Sequence, residues 1–342
     1  MGATGAVGST MLGVMRERSF PAAEVVAFAS ERSSGRAIDH GDDELVVQAL
    51  PDGDGAPEAL EGFDLALFSA GSAVSEQWAP RFAAAGAVVV DNSSFWRMKE
   101  DVPLVVSEVN PEALDGHRGI VANPNCSTMQ MVVALKPILD AVGIERVVVS
   151  TYQSVSGTGQ RAVEELHDQA RAVIEAKELA PPSVYPHQIA FNVLPQVETF
   201  KEGDDYTTEE RKMMAETRKI LGREDIGISA TCVRVPVYTG HSESVNVQTR
   251  EPLSPDDCRD LLAGAPGVVV LDDPADGIYP LAIEAAGRDD VLVGRIRQDP
   301  SHERCLNMWV VGDNLRKGAA TNAVQLAELL NVRGLLRTAP AA

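Results

Sequence analysis

The chain has 342 residues, 44% of them hydrophobic and 5% aromatic, and carries a formal net charge of −20. The length predicts two domains, and the acidic balance excludes a general nucleic-acid or anionic-membrane surface, so an anionic substrate must be met by a few local arginines or lysines. There is no run of about 18 apolar residues and no basic amino-terminal region leading into a hydrophobic core, which predicts neither a membrane span nor a signal peptide and points to the cytoplasm.

The chain opens on Gly2-Ala3-Thr4-Gly5-Ala6-Val7-Gly8, running into a predicted helix from Ser9 to Arg18. Glycines three apart allow a tight turn and close approach of backbone to a pyrophosphate held at a helix amino end. Such a turn is fed by a buried central strand. Only Met1 precedes Gly2, so either that strand is expected upstream of Met1, the reading favoured, or the chain is truncated there with weakened cofactor binding; loss of the strand would leave a groove beneath the cofactor. Val25 to Ala29 is the next predicted strand, and Ser30-Glu31-Arg32-Ser33-Ser34-Gly35-Arg36 follows it. The arginines and serines there suit a 2′-phosphate, favouring NADP, while Glu31 leaves NAD open. Leu65 to Phe68, Ala87 to Asp91 and Gly119 to Ala122 predict further short buried strands, with a crossover helix from Ala73 to Ala85. This alternation describes a Rossmann-type, doubly wound parallel sheet.

Asn123-Pro124-Asn125-Cys126-Ser127-Thr128 places a cysteine where a helix should begin, ahead of the apolar run from Met129 to Val142. The unpaired amides and positive dipole end of a first helical turn favour thiolate over thiol and can hold a developing oxyanion. Asn125 and Ser127 are both competent cap residues. The other cysteines, Cys232, Cys258 and Cys305, are widely spaced, with neither a zinc-ligand pattern nor a disulfide framework, and no metal is expected. From Arg146 the strands lengthen: Arg146 to Tyr152, Ile228 to Val237, Ser244 to Thr249, Val291 to Gln298 and Cys305 to Val311. Helices are predicted from Gln160 to Glu178 and Thr208 to Leu221, giving an α+β domain with a mixed sheet, and a last helix from Ala319 to Val332 returns to the first domain. The expected division is 1–125, completed by 314–335, and 126–313.

The motifs together resemble aspartate-β-semialdehyde dehydrogenase. Besides the glycine turn and Asn-Pro-Asn-Cys, the family order is kept by Leu67-Phe68-Ser69-Ala70-Gly71, Asp91-Asn92-Ser93-Ser94, Val106-Ser107-Glu108-Val109-Asn110, Tyr152-Gln153-Ser154-Val155-Ser156-Gly157, Arg234-Val235-Pro236-Val237 and Gly312-Asp313-Asn314-Leu315-Arg316-Lys317-Gly318-Ala319-Ala320. The resemblance implies NADPH-dependent reduction of L-aspartyl 4-phosphate to L-aspartate 4-semialdehyde with release of phosphate, on the route to lysine, threonine, methionine and isoleucine. It implies Cys126 as nucleophile, His241 as general acid/base and Gln153 as the group that orients the reacting centre.

For the substrate, the resemblance implies Arg234 on the α-carboxylate, Arg97 and Lys212 on phosphate, Glu209 on the ammonium, and Asn125 beside them. For the cofactor it implies Thr4, Gly5, Ala6, Val7, Arg32 and Ser33 around the phosphates, with Ser156, Gly157 and Asn314 at the nicotinamide end. A homodimer or higher homo-oligomer, formed through the second domain's sheet, is expected. Two competing readings are an N-acetyl-glutamyl-phosphate reductase-like enzyme and a catalytically silent relative. The silent relative should have lost the cysteine, histidine or arginine, and all three are present.

Overall fold

Val88, Val89 and Val90 are buried on both faces of one strand, the arrangement of a central parallel strand covered by helices on each side. The computed structural model describes residues 1–41, 43–50 and 60–336. The chain forms two units, Met1–Asn125 with the segment from Ala319 onward, and Cys126–Gly318. Residues 314–318, expected with the first unit, belong to the second. Asn314 is hydrogen-bonded to Ser154, Ser156 and Gly240, and Gly318 N–H to the Asp313 carbonyl, so this segment is tied to the strand ends of that unit.

In the first unit α1 (Ala6–Glu17) follows the glycine turn. The short β1 (Phe28–Ala29) precedes the hairpin β2 (Ala37–His40) and β3 (Asp43–Val46), and β4 (Gln48–Ala49) pairs in parallel with β1. β5 (Leu65–Phe68), α2 (Ser72–Ala84), β6 (Val88–Asp91) and β7 (Ile120–Ala122) make a parallel three-stranded sheet in the order β5-β6-β7. β1 is shorter than the expected Val25 to Ala29. Val25, Val26 and Ala27 instead line a cavity of about 740 Å³ bordered also by Leu65 of β5, Met11 of α1 and Phe82 of α2. At one end the backbone of Met1–Ala3 spans the space. Met1 N donates to the Leu67 carbonyl at 2.7 Å, and Gly2 N–H donates to Phe28 at 2.8 Å.

The second unit begins with α3 (Cys126–Val142), which starts three residues before the expected apolar run because Cys126, Ser127 and Thr128 already form its first turn. β8 (Ile144–Gln153), α4 (Gln160–Ile174), α5 (Thr208–Leu221), β9 (Gly227–Arg234) and β10 (His241–Thr249) follow. The rest of the unit comprises α6 (Pro255–Ala263), β11 (Val268–Val270), the single turn α7 (Ala282–Ala285), β12 (Val291–Gln298) and β13 (Cys305–Gly312). The sheet is mixed, in the order β11-β12-β13-β10-β8-β9. β9 ends at Arg234 rather than Val237 because Pro236 has no N–H for the ladder. α4 ends at Ile174 rather than Glu178, with Ala176 in a left-handed conformation just beyond it. The last helix, α8 (Asn322–Val332), follows a π-helical turn, Arg316–Thr321, and packs Ala323, Val324 and Leu326 with Met11, Val14, Val88 and Val90 of the first unit.

Two details of the second unit position its site. β8 and β9 run parallel while β10 is antiparallel to β8, so the last residues of β8 and β9 and the first residue of β10 lie at one end of the sheet. Those residues are Gln153, Arg234 and His241, all buried. The opposite sheet face alternates with this one and is half-exposed along Val148, Ser150, Ser244, Asn246 and Trp309, with the Trp309 ring 5.3 Å from that of Tyr152. Among the described residues no helix is long and apolar enough to cross a membrane.

Candidate active site

Cys126 is the first residue of α3, and its Sγ lies 3.2 Å from His241 Nε2. The sulfur therefore sits at the positive dipole end of α3, which favours the thiolate. Gly318 packs so closely that a Cβ on it would sit 2.8 Å from the Cys126 Cβ, and any side chain there would displace the thiol.

His241 is fully buried and opens β10, so it is a strand residue rather than a mobile loop histidine. Ser154 N–H donates to His241 Nδ1 at 3.1 Å, and the Ser154 hydroxyl lies at the same distance. A backbone amide can only donate, so the neutral ring carries its proton on Nε2, the nitrogen facing sulfur. Burial first, and then the Arg234 guanidinium, hold the imidazole well below the ordinary histidine range. The ring therefore stays neutral and offers Nε2–H to a thiolate. Gln130, on α3, fixes the histidine backbone by donating to its carbonyl at 3.2 Å.

Arg234, 5% exposed, donates from Nη1 to the Ser154 carbonyl at 2.6 Å, while its Nε is buried without a hydrogen-bond partner. A buried guanidinium edge left unmatched is costly unless an anion completes it, which suits a substrate carboxylate. Gln153 donates to Glu209 Oε1 at 3.0 Å. Glu209 and Lys212 lie on one face of α5, whose start is set by the Thr207–Glu210 capping box, and Glu210 also accepts from the Cys232 N–H of β9 at 2.9 Å. The Lys212 ammonium is paired with Glu198 and lies 3.6 Å from Glu209. Asn314 gathers the adjacent turn. Its Oδ1 accepts from the Ser154 and Ser156 hydroxyls and the Gly240 N–H, and its Nδ2 donates to Ser156 Oγ at 2.9 Å. A Cβ on Gly157 would come within 3.3 Å of the His241 ring, so this turn is packed on the histidine.

The remaining candidates lie in the first unit. Arg97 is buried, with Nε on the Asn123 carbonyl at 3.0 Å and Nη2 on the Asn92 carbonyl at 2.7 Å. Asn125, also buried, directly precedes Cys126. Around the glycine turn, a Cβ on Gly8 would be 2.1 Å from the Gly2 carbonyl oxygen, and Gly2 itself has φ +80°. Only glycine fits at either place. Gly5 caps α1 and, as a glycine, supplies no side-chain cap hydrogen bond; with Thr4 Oγ1 3.4 Å from Ser33 Oγ, and Arg32 exposed beside Ser33, this is a cradle suited to a dinucleotide. Ala6 and Val7 supply the first helical amides. Among the described residues no cluster of histidine, cysteine or carboxylate side chains could hold a metal ion.

Sequence reasoning missed Ser154, Gln130 and Gly318. Ser154 and Gly318 had a signal, since Ser154 lies between Gln153 and Ser156 in one motif and Gly318 follows Asn314 in another; Gln130 had none, because its role arises from packing across a long sequence separation.

Glu243 shares the buried face of β10 with His241 and is itself fully buried. Burial raises its carboxyl well above the ordinary range, opposed by the Gln130 amide and reinforced by Glu209. A carboxyl whose folded pKa is raised contributes stability that is full below its unfolded value of 4.5 and is lost as pH rises through the folded pKa. Glu243→Gln removes that titration. The variant is expected to gain thermal stability over the wild type between about pH 5 and about pH 8. Melting curves at both values check this, and parallel pH dependences for the two proteins would refute it.

The family model described as semialdehyde dehydrogenase, NAD binding domain, matches residues 1–117, and that described as semialdehyde dehydrogenase, dimerisation domain, matches residues 135–317. The chain is 56% identical over 338 residues to an aspartate-semialdehyde dehydrogenase of Aquifex aeolicus, covering 98% of each chain. It is 48% identical to aspartate semialdehyde dehydrogenase II of Vibrio cholerae, solved complexed with ASA, with TM-score 0.92 over 97% of this chain and 96% of that one. A Candida albicans aspartate semialdehyde dehydrogenase solved with NADP is 26% identical, with TM-score 0.73 over 98% of each chain.

Proposed function

The chain belongs to the aspartate-semialdehyde dehydrogenase family, and we propose that it reduces L-aspartyl 4-phosphate to L-aspartate 4-semialdehyde with NADPH, releasing phosphate, in the synthesis of lysine, threonine, methionine and isoleucine. The observation that carries this is Cys126 Sγ on a first helical turn, facing a buried His241 Nε2 at 3.2 Å.

The thiolate of Cys126 attacks the acyl carbon, a C–S bond forms, and the carbon–oxygen bond to phosphate breaks with its electron pair leaving on phosphate. The amides of the first turn of α3 stabilise the oxyanion of this step. NADPH, when bound, supplies the hydride that reduces the acyl group. His241 holds a proton at Nε2, lends it to the negative charge that develops on oxygen, and keeps it as the C–S bond breaks to return the thiolate and free the aldehyde. Arg234 takes the α-carboxylate on its Nε edge, and Glu209 takes the ammonium with Gln153 bonded to it. Arg97, Lys212 and Asn125 complete the binding of substrate and phosphate; for Lys212 this means exchanging its pairing with Glu198 for the incoming anion.

Thr4, Gly5, Ala6, Val7, Arg32 and Ser33 hold the phosphates of NADP, with Arg32 and Ser33 on the 2′-phosphate, and Ser156, Gly157 and Asn314 border its nicotinamide end. The protein acts in the cytoplasm as a homodimer, pairing through the half-exposed sheet face that carries Tyr152 and Trp309. This agrees with the dimerisation-domain match over the same segment.

The test runs the reaction backward: purified protein, aspartate semialdehyde, inorganic phosphate and NADP. Absorbance of NADPH is expected to rise only when all four are present. A rate independent of phosphate would refute the acyl-phosphate reaction, and no rate would refute the function.

A further inference from the structure

Glu165 of α4 accepts hydrogen bonds from three successive backbone amides, Ser183 at 2.6 Å, Val184 at 2.8 Å and Tyr185 at 3.3 Å, and from the Ser183 hydroxyl at 2.8 Å. The segment it gathers contains Pro181, Pro182 and Pro186 and is stiff on both sides. Tyr185 packs against the apolar cluster that includes Val155, Leu166 and Leu194, and its hydroxyl donates to Thr158 Oγ1 at 3.0 Å. Its ring centroid is 5.9 Å from the Arg234 guanidinium carbon. The backbone of Arg234 is bonded in both directions to Leu194, at 2.8 and 2.9 Å, so ring and guanidinium are held from the same side of the unit. None of these contacts has a part in the chemistry described above.

We propose that Tyr185 is a positioning residue for the substrate carboxylate: its ring, fixed by Glu165 and Thr158, holds the plane of the Arg234 guanidinium so that the Nε edge faces the incoming anion. The inference rests on Arg234 being the carboxylate binder. A guanidinium has rotational freedom about its long stem, and with Nη1 already on the Ser154 carbonyl an aromatic face is what keeps the plane from rocking about that bond. The loop would then act on substrate affinity without touching substrate.

The experiment measures kcat and KM for aspartate semialdehyde, phosphate and NADP in Tyr185→Leu, Tyr185→Phe, Glu165→Gln, Arg234→Lys and the Tyr185→Leu/Arg234→Lys double variant. Tyr185→Leu, which keeps apolar volume but loses the ring face, is expected to raise KM for aspartate semialdehyde roughly tenfold, with kcat and the other two KM values little changed. Tyr185→Phe, which keeps the ring face and loses only the bond to Thr158, should raise this KM less than Tyr185→Leu does, Glu165→Gln should shift KM in the same direction as Tyr185→Leu, and the double variant should be no worse than Arg234→Lys alone. If Arg234→Lys raises this KM while Tyr185→Leu and Glu165→Gln leave it unchanged, the role of Tyr185 is refuted and that of Arg234 stands. Equal rises in all three KM values would also refute positioning. An unchanged KM in Arg234→Lys would instead overturn the assignment of Arg234.

Discussion

Cys126→Ala is expected to reduce turnover to background while the protein keeps its fold and its affinity for NADP. The sulfur is the protein atom that the proposed sequence bonds covalently to the acyl carbon, so without it the first step has no route. Its removal costs little structurally, because the side chain is small and only partly buried at the start of α3, and alanine keeps the Cβ. Steady-state rates in the phosphate-dependent direction, with melting curves and NADP titration on the same sample, check both halves of the expectation. Any appreciable rate above the uncatalysed one would end the thioester route; a large loss of melting temperature would show that Cys126 supports the fold.

His241→Ala comes next in expected size. Proton placement by a positioned side chain contributes about 10² to 10⁴-fold, so kcat should fall by that order. Removing the ring also leaves the buried Ser154 amide without its acceptor, which costs about 1–3 kcal/mol of stability. The wild-type pH profile supplies an independent check. Because the folded imidazole lies well below 6.5, His241 is neutral through the neutral range, and kcat should show no inflection near the ordinary histidine value. The corresponding stability is full above 6.5 and falls as pH drops below it, since the unfolded chain then binds a proton that the buried ring refuses. A kcat limb centred near pH 6.5 that vanishes in His241→Ala would contradict the neutral, Nε2-protonated ring. A change confined to KM would recast the histidine as a binding residue.

The sequence by itself determined the local elements and the family. Thr208–Leu221 and Val291–Gln298 have the ends expected of them, because a capping box sets the first helix's start and the buried apolar run of Val291, Leu292 and Val293, continued by Ile296 between two arginines, marks the strand. The glycine turn is local at Gly8, which is demanded by the Gly2 carbonyl, whereas Gly2 is demanded by the backbone of Ser69, far along the chain. Elements with weak patterns escaped: the hairpin of Ala37–His40 and Asp43–Val46 has charged residues on a small exposed sheet, and Val268–Val270 is too short to show a period. Only the tertiary structure decided what the site residues do to one another. Cys126 and His241 are 115 positions apart and meet because the sheet order sets the start of β10 beside the ends of β8 and β9, with α3 packed on that face. The same packing chose the imidazole tautomer through Ser154, left Arg234 Nε unmatched, paired Lys212 with Glu198 and set the Tyr185 ring beside Arg234. Local propensity acts over a few neighbouring residues, whereas burial, hydrogen-bond matching and charge pairing depend on which strand ends the sheet brings together.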